Sequence, residues 1–133
     1  MQTLRRPAEA PVTGGVRNWL RAEGIAAMAL SALLYGHLGS SWWLFFGLLF
    51  TPDLIMVFYL LNPQIGAATY NLVHSYALPL GLAAVVLFTA TPTILPYLCV
   101  WTAHIGMDRC MGYGLKYPTA FGRTHLGFLR NRP

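Results

Sequence analysis

Charge is what this sequence has least of. Only 10% of its 133 residues are Asp, Glu, Lys or Arg, against roughly 25% in a soluble globular domain. The shortage argues against a disordered chain, a solvated coiled coil and a basic surface for nucleic acid, so no nucleic-acid partner is expected. Cysteine is scarce too. Cys99 and Cys110 fall on one predicted helix about 16 Å apart in rise, too far for a disulfide within the chain. Neither a CxxC pair nor a thiolate metal site is present. A signal peptide is not expected either, because residues 7–18 hold two prolines and two glycines where an apolar core would stand.

What remains is apolar. Hydrophobic residues make up 56% of the chain and the mean hydropathy is +0.50. Four apolar stretches, about 18–37, 42–61, 65–89 and 94–113, come near membrane-spanning length. In the first, Ala27 and Ser31 form a small pair suited to close helix contact. Trp42 and Trp43 mark an outer interface, and Pro52 should kink the second span. All nine Lys and Arg residues lie outside the segment between Arg21 and Arg109. An even number of spans puts both ends on one side, and the basic ends make that side cytoplasmic. The expected fold is therefore all-α: a polytopic membrane protein with four transmembrane helices in an up-down-up-down bundle and both termini cytoplasmic. Residues 1–15 read as a flexible leader, 16–115 as the transmembrane domain and 116–133 as an interfacial tail. Its expected partner is the lipid bilayer, with a homodimer or a membrane complex as the candidate assembly.

Ionisable side chains inside spans are costly and normally face a bundle interior. Glu23, Asp53, His74, His104 and Asp108, with Tyr70 and Asn71 beside them, all fall at one depth in the cytoplasmic half when counted at about 1.5 Å per residue. The outer half offers only Tyr97 and Cys99. His104 and Asp108 are four apart and share a helical face, as do Asn71 and His74 at a spacing of three. Imidazole and carboxylate groups from several helices suit Zn, Fe or Mn. The expected metal ligands are His74, His104 and Asp108, with Asp53 and Glu23 as a further ligand or general base. Arg109 is the candidate to position an anion, and Tyr70, Asn71 and His125 are candidate supporting residues. The competing reading is an internal salt-bridge network that fixes helix register.

Two unusual strings, Tyr70-Asn71-Leu72-Val73-His74-Ser75-Tyr76 and Ala103-His104-Ile105-Gly106-Met107-Asp108-Arg109, are followed by Gly112-Tyr113-Gly114-Leu115-Lys116-Tyr117-Pro118 and Thr124-His125-Leu126-Gly127. With Arg21-Ala22-Glu23-Gly24 and Pro52-Asp53, they resemble a bacterial family of small integral membrane proteins catalogued as domain of unknown function 4260, over about residues 18–128. The resemblance implies a four-helix protein of the bacterial inner membrane with these polar positions as its hallmark, and no assigned activity. The residues themselves leave three functions open. The first is a membrane-embedded metalloprotein, hydrolase-like, acting on a lipid or isoprenoid head group. The others are a non-catalytic membrane subunit with a structural polar network, and a small proton or ion transport protein.

Overall fold

The computed structural model describes residues 11–118 and 121–128. The leader arginines Arg5 and Arg6, and the tail residues 119–120 and 129–133 with Arg130 and Arg132, lie outside the described residues. The fold is mainly helical: α1 (Gly14–His37), α2 (Trp42–Leu48), a tighter 3₁₀ helix over Thr51–Leu60, α3 (Pro63–His74), α4 (Ala77–Thr89) and α5 (Leu95–Met111). A two-residue antiparallel hairpin, β1 (Arg123–Thr124) with β2 (Gly127–Phe128), follows.

The centre of the bundle is α5, whose buried residues run from Leu98 to Arg109. Its main partner is α1. The backbones meet at Gly24 and Gly106, where a Cβ on Gly106 would lie 2.6 Å from the Gly24 carbonyl oxygen and 2.7 Å from the Met28 nitrogen. The closest approach is thus one turn from the expected Ala27/Ser31 pair. At the far end Tyr35, Phe45, Cys99, Val100 and Ala103 close the core. There the Tyr35 hydroxyl donates to the Ser41 carbonyl at 2.6 Å, which fixes the α1–α2 turn.

Pro52 does more than kink the second helix. It removes a donor and crowds the carbonyl four residues back, and the winding tightens to 3₁₀ from Thr51 to Leu60. Runs of this geometry beyond three or four residues are uncommon and mark places where packing dictates the backbone. This run packs along α3, with the Tyr59 ring against Gly66, where no Cβ would fit.

The third apolar stretch is not one helix. It breaks at Ser75, an extended residue, and α3 meets α4 at about 40°. Pro79 supplies no N–H for the Ser75 carbonyl. The carbonyls just before the break have taken partners from α5: Trp101 Nε1 donates to Val73 at 2.7 Å and Arg109 Nη2 to His74 at 2.8 Å. A helix carried through residue 79 would need those carbonyls for itself.

By length and composition one helix, Trp42–Leu60, is able to cross a membrane, and it is buried over only 6% of its apolar window. The α3–α4 pair satisfies the same measure as one broken span. The four-span expectation is not met on this measure by α1 or α5. Arg17, Arg21 and Glu23 open α1, while α5 has only 17 residues and carries His104, Asp108 and Arg109. Even so the exterior is strongly apolar: Phe88 is 92% exposed, Trp43 89% and Leu60 85%.

After α5 the chain turns at Gly112 (φ +87°), whose N–H and that of Tyr113 satisfy the last carbonyls of the helix. It then folds back onto α3. Asn71 holds residue 116 from both sides, donating to its carbonyl at 2.8 Å and accepting from its N–H at 2.6 Å. Leu115 and His125 exchange two hydrogen bonds of 3.0 and 2.9 Å, and Val12 donates to the His125 carbonyl at 2.7 Å. The two ends of the described chain are therefore adjacent.

Candidate metal centre

Three elements converge at the break. The 3₁₀ segment brings Asp53, the last residue of α3 is His74, and α5 presents His104 and Asp108 on one face. One donor atom from each of the four lies within 4.8 Å of all the others. His74 Nε2 stands 3.1 Å from Asp53 Oδ1, 3.2 Å from His104 Nε2 and 3.8 Å from Asp108 Oδ2. His104 Nε2 stands 3.2 Å from Asp53 Oδ1 and 3.3 Å from Asp108 Oδ2. Ligands about 2.0–2.1 Å from a tetrahedral ion are about 3.3–3.4 Å from one another, so these separations bracket the edges of a coordination tetrahedron.

Proton positions support the same reading. His74 Nδ1 faces the Tyr70 carbonyl at 3.0 Å, which accepts only, so Nδ1 carries the hydrogen. The Nε2 of a neutral His74 then holds a lone pair aimed at a carboxylate oxygen and at a second imidazole nitrogen. Such lone pairs repel unless a proton or a cation lies between them. With all four groups deprotonated, two carboxylates and two imidazoles carry −2, which a divalent ion cancels; a proton on His104 Nε2, 3.2 and 3.3 Å from the carboxylates, lowers that charge as well. Such burial is tolerated only with pairing or coordination. Both histidine side chains are fully buried and that of Asp108 nearly so, while Asp53 keeps 31% of its side chain exposed. The Tyr70 ring stacks on His74 at 3.7 Å and 8°, and Phe50 meets His104 edge-on. His104 Nδ1 is buried and has no hydrogen-bond partner among the described residues. The donor set thus fits a divalent metal.

The expected residues separate into those that join and those that do not. Asp53, His74, His104 and Asp108 join. Glu23 does not: it is exposed on α1, beside the Gly24 contact. Tyr70 and Asn71 are adjacent, one stacked on a candidate ligand and the other clamping the tail. His125 is engaged with Leu115 rather than with the cluster. Arg109, expected to meet an anion, is 7% exposed and donates to the carbonyls of His74 (2.8 Å) and Tyr113 (3.1 Å). It caps the broken end of α3 and so fixes the backbone of His74. Arg109→Met should leave that buried carbonyl unpaired and destabilise the fold by about 1–3 kcal/mol. Thermal unfolding in detergent measures this, and an unchanged midpoint would remove the capping role.

Sequence reasoning missed Lys116. Its ammonium lies 3.2 Å from the Phe121 ring centroid, 4.4 Å from that of Tyr70 and 5.3 Å from that of Tyr59. Burial pushes it down to about 8, against the pull of Asp53 and Asp108. Burial also lowers His125. The signal for Lys116 was present as a single cation between Tyr113 and Tyr117 in an aromatic tail.

A family model described as "Domain of unknown function (DUF4260)" matches residues 17–129. No curated protein and no solved structure matches the chain.

Proposed function

The chain belongs to the domain-of-unknown-function family DUF4260, and from that premise we propose that it is an integral membrane metalloprotein of hydrolase-like type. The observation that carries the proposal is the convergence of four donor atoms from three elements, at tetrahedral spacing, behind an apolar exterior. In this reading His74, His104 and Asp108 hold Zn, Fe or Mn, and Asp53 stands beside the position they leave open. Such an ion supplies Lewis acidity and lowers the pKa of a bound water toward neutrality. Asp53, the most exposed of the four, is the group suited to exchange a proton at the mouth. Tyr70 stacks His74 in place, and Arg109 holds the backbone from which His74 projects.

The same reading has the chain cross a bacterial inner membrane four times, with the broken α3–α4 pair as one span and both termini cytoplasmic. Support comes from adjacent chain ends, joined by the Val12–His125 hydrogen bond, and from the grouping of Lys and Arg at those ends. Non-helical backbone at membrane depth is tolerated where protein covers it, as Arg109 and Trp101 cover the break. The lipid bilayer is the proposed partner, and a homodimer or membrane complex the proposed assembly.

Bound metal stabilises the state that binds it. Chelation of the purified protein should therefore lower its unfolding midpoint by several degrees, since occupancy at 100 times Kd contributes about 2.7 kcal/mol. Re-addition of Zn, Fe or Mn should restore it. A second reading, a structural ion-pair network, is favoured by the His74–Asp53 and His104–Asp108 distances of 3.1 and 3.3 Å. It predicts a midpoint indifferent to chelator and metal.

A further inference from the structure

A cleft of about 280 Å³ opens on the candidate metal centre. Asp53, Asp108 and Lys116 all line it, with Phe50, Met56, Met107 and Phe121. Among the described residues no carboxylate comes within ion-pair distance of Lys116. It is the only cation of the described lining. Thr124, also in the lining, is committed, its hydroxyl donating to the Gly127 carbonyl at 2.6 Å.

The position of Lys116 is built rather than incidental. Asn71 pins its backbone by two hydrogen bonds, and three aromatic rings surround its ammonium. The rings already have their cation, so the cleft has no free aromatic cage for a cationic ligand. A buried ammonium with no carboxylate partner instead favours an incoming anion, for which lysine acts as a point charge. The volume is slightly below the 300–1,000 Å³ of pockets that enclose a whole small molecule. It takes a head group and a few methylenes. Met111 and Phe121, also in the lining, are 51% and 46% exposed and give it an apolar part open to the surroundings.

We infer that the cleft receives a phosphate-headed amphiphile, with Lys116 taking charge on the head group and the Phe50, Met56 and Met107 wall taking the first part of its chain. Phosphate is favoured over carboxylate because a tetrahedral head presents oxygens to Lys116 and to the centre beside Asp53 and Asp108 together. For that second contact the inference rests on the metal reading above.

The test is calorimetric binding of dodecyl phosphate, dodecanol and inorganic phosphate to the full chain in maltoside micelles, before and after metal removal, beside Lys116→Met. Dodecyl phosphate should bind wild type at least about tenfold tighter than either of the others. Lys116→Met should lose about tenfold of that affinity while keeping its helicity and metal content. Equal binding of dodecanol, or an unchanged Lys116→Met, overturns the assignment. Inorganic phosphate binding as tightly as dodecyl phosphate overturns the amphiphile. Should Lys116→Met fail to fold, the three-ligand comparison on wild type decides alone. A preference that survives metal removal upholds Lys116 and overturns the second contact, at the centre; a metal-loaded wild type without the preference overturns the assignment and leaves the metal reading standing.

Discussion

Asp108→Ala and His104→Ala should each weaken divalent-metal binding by about 100-fold or more, while Glu23→Ala leaves it unchanged. Replacing groups that merely orient a ligand typically costs 10–100-fold in affinity, and these two changes remove a donor outright. A hundredfold loss is about 2.8 kcal/mol. The contrast with Glu23 makes the test specific, since all three positions are ionisable residues of helices but only two reach the cluster. Competition with a chromophoric chelator on detergent-purified protein measures the affinities. Equal losses at all three positions would mean that fold damage, rather than ligand loss, is being read.

Gly106→Val should damage the α1–α5 contact by about 3 kcal/mol. Overpacking a well-filled site costs typically about 1–3 kcal/mol, and this site lies at the upper end because the atoms in the way are backbone. The added Cβ would meet the Gly24 carbonyl oxygen at 2.6 Å and the Met28 nitrogen at 2.7 Å, so neither can turn aside as a side chain would. Gly106 stands two residues from both His104 and Asp108, and a displaced α5 carries both with it. Metal affinity should fall along with stability. Gly81→Ala is the control: a Cβ there meets nothing within 4 Å, and the unfolding midpoint should hold or rise slightly. Thermal unfolding of the two variants in the same detergent checks both.

The cluster was legible in the sequence because ionisable residues in apolar helices stand out against their surroundings, and because His104 and Asp108 share a face at a spacing of four. Position along a helix gives height, which is why Asp53, His74, His104 and Asp108 were grouped before their contacts were known. Height does not give azimuth. Glu23 has a suitable depth, but its neighbour Gly24 takes the contact with α5, and successive residues point about 100° apart. Arg109 is turned from Asp108 by the same angle and meets the open end of α3. That open end is hidden because residues 65–89 read as one apolar stretch, in which Pro79 denies the Ser75 carbonyl its donor only if the helix runs through. Lys116 escaped because the bonds that place it join residues 45 positions apart, a pairing that no local pattern reveals. The basic tail read as a topology signal, and the three rings around one of its lysines did not.

Elemental analysis of wild-type protein, purified in detergent without chelator, tests the central claim most directly. The account predicts about one Zn, Fe or Mn per chain, the occupancy of a single four-donor site. Less than about a tenth of an equivalent, persisting after growth and purification with added metals, would contradict it, because a preformed set of four donors should fill when metal is supplied.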